Sequence, residues 1–266
     1  MDKSKVVSLL ANYTHNPFCP QDRIDFLEGL KLSDPNRYRV DGQGEWGEPL
    51  NDEPFMRNYN DDHNFTAEEF PFYTNYPIWL SFDFNYDPCC ATVYQEVDDY
   101  GIYAMREFSV TGGTRALCQQ IKTSDVMTVP TMIWSVTGDN SGSSSSSTSG
   151  NVTDYDIIQD EFKLRDDQLV RVDGRNKSHT YRRHLCNEFF YNCKSFWLDK
   201  SMLGLRRDLL TAKPDKNGKL YKNRDKGHAM DLLDTFRYFI DARFYRGLED
   251  IRIFADSCQQ NLPKEA

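Results

Sequence analysis

Four carboxylates are the residues of this sequence best placed to do chemistry. Asp83 ends the apolar run Ile78-Trp79-Leu80-Ser81-Phe82, and Asp139 ends a second β-rich run within Thr137-Gly138-Asp139-Asn140. Asp231 and Asp234 stand three residues apart in a helical pattern, so they share one face. If the two strands are neighbours and the helix meets their ends, the four side chains form one acidic pocket. Like charges that close repel unless a cation neutralises them. Mg²⁺ or Mn²⁺ is the natural occupant, because hard divalent ions take carboxylate oxygens. Two such ions about 4 Å apart would hold the attacking water and the leaving oxygen of a phosphodiester. Each residue also has a plainer reading. A strand-end Asp often forms a turn, and Asp231 with Asp234 would suit a solvated helix face.

Other chemistry is thinly represented. His228 sits one turn before Asp231, where a solvated histidine at a helix start is the simpler expectation than a metal ligand. His15, His63, His179 and His184 show no metal-ligand spacing with cysteine or with each other. The seven cysteines include no CxxC, which points to a reduced, intracellular chain with Cys89-Cys90 as buried thiols. The sequence contains no GxxxxGK[ST], no GxGxxG after a strand, no GxSxG and no HExxH. An ATP-driven motor, a dinucleotide enzyme, an α/β-hydrolase and a zincin protease are therefore not encoded by their usual motifs.

The elements that must position the carboxylates follow from periodicity. Runs at 76–83, 91–97, 102–110, 128–137, 169–172 and 195–198 read as strands, the last two short. Residues 21–32, 114–123, 152–162, 180–192, 202–211 and 228–245 read as helices, with Thr153 or Asp154 near an N-cap. A Lys/Gly-rich hairpin or turn is expected over 214–225, and loops over 51–64 and the Ser/Gly tract 141–150. Strands come first and then alternate with helices, an α/β pattern with a mixed sheet. The Pro/Gly-punctuated residues 1–72 read as an extension and 73–266 as the compact domain.

Charge is unevenly spread. The 266 residues carry 32 Lys+Arg and 41 Asp+Glu, a net charge of −9. Residues 165–226 alone hold 16 basic and 8 acidic residues, so a basic third sits in an otherwise acidic chain. Basic residues on solvated helix faces account for this as simply as a polyanion-binding face does. No stretch approaches 18 apolar residues and no signal-peptide pattern opens the chain, so no membrane association is expected.

Several segments, in order, resemble the C-terminal nuclease domain of the large terminase subunit of tailed bacteriophages. Asn16-Pro17-Phe18, Asp34-Pro35 and Gly44-Glu45-Trp46-Gly47 resemble the connector that precedes that domain. Trp79-Leu80-Ser81-Phe82-Asp83-Phe84-Asn85 with Asp87-Pro88 is similar to its first acidic strand, and Val136-Thr137-Gly138-Asp139-Asn140-Ser141-Gly142 to its second acidic motif. Phe196-Trp197-Leu198-Asp199 followed by Leu205-Arg206-Arg207-Asp208-Leu209 resembles a later strand and helix. His228-Ala229-Met230-Asp231-Leu232-Leu233-Asp234-Thr235-Phe236-Arg237-Tyr238 resembles the closing helix, with Thr235 where alanine is usual.

The resemblance implies an RNase H-like mixed central sheet flanked by helices, after an N-terminal connector extension. It implies a nuclease that cuts concatemeric double-stranded DNA during packaging, with Asp83, Asp139 and Asp234 as core ligands of two Mg²⁺ or Mn²⁺ ions and Asp231 as a fourth. Arg182, Arg183, Arg206, Arg207, Lys216, Lys219, Lys222 and Arg224 would then contact phosphates, giving affinity without sequence readout. The implied partners are the terminase ATPase motor, the small terminase subunit and the portal. The implied location is the host cytoplasm and, transiently, the procapsid portal. A non-catalytic docking module of the same fold and a Holliday-junction resolvase are the alternatives.

Overall fold

The structure is a computed structural model, and it describes residues 11–33, 37–45, 53–97, 101–128, 134–144, 152–170, 177–215, 217–224 and 229–261. Asp34-Pro35, Trp46-Gly47, residues 98–100, 129–133, 145–150 and 171–172, Lys216 and His228 lie outside the described residues. The chain divides into two compact units, Met1–Asp52 and Glu53–Ala266. In the smaller unit, helix α1 (Gln21–Ser33) lies between a 3₁₀ turn, Tyr13–His15, and a π-helical turn, Tyr38–Gly42. Tyr13 ties the three together. Its hydroxyl donates to Glu28 on α1 and lies 3.3 Å from the hydroxyl of Tyr38. The Asn16 side chain accepts from the backbone N–H of Phe18, an Asx turn that leaves the Phe18 ring exposed.

The larger unit is built on five strands among the described residues: β1 (Ile78–Asp83), β2 (Cys89–Val97), β3 (Gly101–Val110), β4 (Trp134–Gly138) and β5 (Phe196–Leu198). Their order is β4-β1-β2-β3-β5. β1, β2 and β3 form an antiparallel meander, while β4 joins β1 and β5 joins β3 in parallel. Leu169 adds a single parallel bridge to Val136, where the short strand at 169–172 was expected. The described helices that accompany the sheet are α2 (Asp61–Asn64), α3 (Gly113–Lys122), α4 (Asp154–Phe162), α5 (His179–Asn192), α6 (Leu203–Thr211), α7 (Asp231–Arg243) and α8 (Leu248–Asn261). This is a mixed α/β sheet flanked by helices, as the order of patterns predicts. Among the described residues no helix is long and apolar enough to cross a membrane.

The two-residue period of the strands sorts side chains between two cores. On β1, Ile78, Leu80 and Phe82 join Leu117, Cys118 and Ile121 of α3 and Ile158 of α4. The odd-numbered side chains point the other way, where α5, α6, α7 and α8 pack. Tyr94 of β2 stacks on Phe239 of α7, and Phe190 of α5 stacks on Phe236. The seven cysteines are free thiols, and burial pushes Cys89 up to about 11 and Cys90 up to about 12. Both stay protonated near neutrality, as buried thiols do.

Two helices receive their N-terminal caps from elsewhere. Met202 and Met230 precede α6 and α7 without a capping side chain. Glu107 of β3 accepts from the backbone N–H groups of Gly204 and Leu205, 2.7 and 2.8 Å away. Asp208 of α6 in turn accepts from the backbone of Leu233. A carboxylate at a helix N-terminus satisfies orphan donors and meets the positive end of the dipole. The sheet thus fixes α6, and α6 fixes the start of α7.

Three expectations change. Residues 53–72 belong to the larger unit, and the expected loop 51–64 contains α2, capped by the Asn60 side chain. Phe55 and Met56 are buried in the core there, because two adjacent apolar residues suffice to anchor a polar stretch. The expected helix 228–245 starts at Asp231, since Met230 holds a left-handed backbone conformation, φ +60°. Helix α8 had no counterpart in the sequence reading, although Ile251, Phe254, Ala255 and Cys258 bury one face at helical spacing.

Candidate functional site

The end of β1 meets the start of α7 for a metric reason. Trp79, Ser81 and Asp83 share the face of β1 that α7 covers. Trp79 packs edge-on against Phe239, and the Ser81 hydroxyl donates to the carbonyl of Thr235 at 2.6 Å. The strand rises about 3.3 Å per residue and the helix about 1.5 Å, so residues 79 to 83 span ~13 Å and residues 239 to 231 span ~12 Å. Two steps up β1 therefore match one turn down α7, and Asp83 arrives beside Asp231 and Asp234. Thr235 is locked in this contact. The Thr92 hydroxyl bonds to that of Thr235 at 2.9 Å, and Thr235 donates on to the carbonyl of Leu232.

Asp139 is brought in by sheet register. Phe82 pairs with Gly138 across the parallel β1–β4 contact, and the backbone N–H of Asp139 donates to the carbonyl of Phe82. Asp83 and Asp139 thus leave neighbouring strands side by side. A Cβ on Gly138 would lie 2.7 Å from the Phe82 carbonyl, and one on Gly142 would lie 2.3 Å from the Phe84 ring. Only glycine lets the second acidic segment close on the first. Asp139 also keeps its turn-forming role, because its side chain caps the 3₁₀ turn Asn140–Ser143 through the N–H of Ser141.

All four carboxylates therefore act on one neighbourhood. Asp83 is 5% exposed, and its pKa is raised to about 7. Burial is the main cause, the charges of Asp234, Asp231 and Asp139 push the same way, and Lys222 opposes them. Asn85 donates to the Asp83 carboxylate at 2.8 Å. Burial also raises Asp231, against the pull of Lys222 and Arg224. One Asp231 oxygen, Oδ2, is buried without a hydrogen-bond partner.

The charges are answered by side chains. Arg237, 1% exposed, donates to Asp234 Oδ1 one turn along the helix, and its other terminal nitrogen lies 3.1 Å from His179 Nδ1. Burial and the neighbouring Arg237 lower the pKa of His179, so its neutral ring can accept that bond. The Lys222 ammonium pairs with Asp234 Oδ2 and lies 3.5 Å from Asp231 Oδ1, while Arg224 reaches the same Asp231 oxygen at 3.1 Å. Among the described residues no three His, Cys, Asp or Glu side chains are gathered closely enough to hold an ion as they stand.

The residues assigned to DNA phosphates separate into different fates. Arg182 is buried, paired with buried Asp241 at 3.2 Å and set over the Tyr238 ring. Arg183 donates to the carbonyls of Phe55 and Pro54, and Arg206 is paired with Asp61 over the Phe65 ring. These three guanidiniums knit the fold. Arg207 is paired with Asp208 but 59% exposed, and Lys219 is exposed on the turn at Asp215. Lys222 and Arg224 belong to the acidic site itself. Arg237 enters the sequence reading only as part of a motif, although its i+3 spacing from Asp234 is a readable signal. Nothing in the spacing links Lys222 or His179 to the site.

The titration of Asp83 has a consequence for stability. Its folded pKa lies above the unfolded value, so between pH 4 and 7 the unfolded chain ionises this group before the folded one does. The metal-free protein should therefore lose stability as pH rises through that window and level off above pH 7. Thermal midpoints across the series should show a falling limb that Asp83→Asn flattens. An unchanged limb in the variant would assign the slope to other groups.

No protein-family profile and no curated protein matches the chain. Among solved structures, the large terminase from a thermophilic bacteriophage is similar, with a TM-score of 0.54 at 13% identity over 82% of this chain and 51% of that one. Its complex with ATP-gamma-S gives the same TM-score, 0.54, at 14% identity over 82% and 52% of the two chains. The P22 large terminase nuclease domain aligns with a TM-score of 0.49 at 13% identity, over 75% of this chain and 97% of that one. The chain spans about half the length of the thermophilic phage's terminase and shares the fold of that half.

Proposed function

We propose that this chain is a divalent-metal-dependent endodeoxyribonuclease of the large-terminase type, which cuts concatemeric double-stranded DNA during genome packaging. The observation that carries the reading is the convergence of Asp83 and Asp139, at the ends of adjacent parallel strands, with Asp231 and Asp234 in the first turn of α7. The donor set suits Mg²⁺ or Mn²⁺, being all carboxylate oxygen, and the buried, unpartnered Asp231 Oδ2 has a coordination place to fill. Two such ions, when bound, would activate a water for in-line attack and stabilise the leaving oxygen. The chain's own contribution is placement. The sheet sets the Asp83–Asp139 spacing, Thr235 fixes the height of α7, and Arg237 orients Asp234 from behind. The fold shared with the thermophilic phage's large terminase and the ordered acidic motifs support this reading. The ATPase motor, the small terminase subunit and the portal would then be partners, in the host cytoplasm and at the procapsid.

One observation favours a non-catalytic docking module instead: Lys222, Arg224 and Arg237 already neutralise two of the carboxylates. Supercoiled plasmid incubated with the purified chain and Mn²⁺, Mg²⁺ or EDTA decides between them. The nuclease reading expects nicking or linearisation with either ion and none in EDTA. Folded protein that leaves the plasmid intact under every metal would favour the docking module.

A further inference from the structure

We propose that Lys222 is the site's own exchangeable cation, holding Asp234 and Asp231 together in the metal-free protein and giving way when a divalent ion binds. The inference rests on the metal-binding reading above. Its basis is the unequal treatment of the two Asp234 oxygens. Oδ1 is held by Arg237, which is 1% exposed and further engaged by His179 and the Phe55 ring. That guanidinium is walled in by α5 and by the residues before α2, and it cannot withdraw without opening the core. Oδ2 is held by Lys222, whose side chain is 35% exposed.

Lys222 also comes from a different kind of element. It follows the turn at 213–221, where the N–H of Asp215 donates to the carbonyl of Lys219, the N–H of Lys219 donates to the Asp215 carboxylate and the N–H of Tyr221 donates to the carbonyl of Lys213. Beyond it, Arg224 joins the segment to the site rim, donating to the carbonyl of Asp87 at 2.7 Å and to Asp231. Among the described residues Lys222 lies in no helix or named strand, and its ammonium, on a flexible four-carbon stem and partly exposed, can turn toward solvent once another cation takes its place. An ammonium and a divalent ion both seek carboxylate oxygens, and they repel each other at the same ones. Binding of one must weaken binding of the other by the same factor. The unpartnered Asp231 Oδ2 shows that the ammonium only partly satisfies the cluster.

The test is a calorimetric titration of Mn²⁺ into the whole chain and its Lys222→Met, Lys222→Arg and Asp83→Asn variants. Lys222→Met should bind Mn²⁺ more tightly than the parent, on the order of tenfold, because a tethered competitor has been removed. Its metal-free thermal midpoint should fall, and Mn²⁺ should raise that midpoint by more than it raises the parent's. Lys222→Arg, which keeps the charge, should stay near the parent's affinity, and Asp83→Asn should weaken binding. Should Lys222→Met fail to fold without metal, Lys222→Gln carries the same comparison. Equal Mn²⁺ affinity in the parent and the neutral variants would overturn the exchange while leaving the metal site standing. No Mn²⁺ binding in any of them would overturn both.

Discussion

Asp83→Ala is expected to abolish metal-dependent plasmid cleavage, a loss on the order of 10³-fold or more. Asp83 is the carboxylate on which the other three converge electrostatically, and it is buried, as Asp231 and Asp234 are. Removing it takes away an oxygen donor that no neighbour can replace, because β1 is clamped between β2 and β4. Stability should move the other way. In the metal-free protein near pH 7, Asp83 is held close to its midpoint by burial and like charge, so Asp83→Asn should be at least as stable as the parent. Activity lost together with the fold would mean that Asp83 is structural. Activity retained in a folded Asp83→Ala protein would sink the two-ion reading. Asp234→Ala should match Asp83→Ala in activity, but it also strands buried Arg237, so its stability should suffer.

Arg237→Ala should destabilise the larger unit by about 3–5 kcal/mol in urea denaturation. Arg237 is among the largest fully buried side chains in the protein. It pairs with Asp234, meets His179 and lies over the Phe55 ring, so three elements lose a shared partner at once. The penalty comes mainly from leaving a carboxylate in a poorly solvated place with one of its cations gone. Arg237→Lys should recover only part of the loss, because an ammonium cannot serve Asp234 and His179 with one planar fork. A change under ~1 kcal/mol for Arg237→Ala would show that Lys222 alone neutralises Asp234. Divalent metal should restore stability to Arg237→Ala more than to the parent, since an ion would supply the missing positive charge.

The elements that carry the acids were legible because each obeys a local rule. The apolar run from Ile78 to Phe82 is a strand because its side chains alternate between two buried faces, and it ends at a carboxylate. The motif around Asp139 needs glycine at 138 and 142 because a ring and a carbonyl occupy the space of a Cβ. The helix carrying Asp231 and Asp234 shows its period in Leu233, Phe236, Phe239 and Ile240. The polar stretch holding Phe55 and the terminal helix α8 were harder to read. Two isolated apolar residues give no period, and in α8 charged and polar residues break the apolar stripe into short pieces.

Residue types and short-range spacing thus determined the strands of the meander, most of the helices that flank the sheet, its mixed character and the four candidate acids. Whether those acids meet was decided by contacts such as Ser81 to Thr235, 154 residues apart in sequence, which no local pattern encodes. The charges around them were decided the same way. Arg182, Arg183 and Arg206 look on paper like a basic face, but in three dimensions each finds a buried or half-buried partner, because burying a guanidinium demands one. Lys222 and Arg224 look like part of the same face, yet the chain returns them to the carboxylates of α7. Composition counts charges, whereas Coulomb energy depends on distance, and distance between remote residues is set only when the chain has folded.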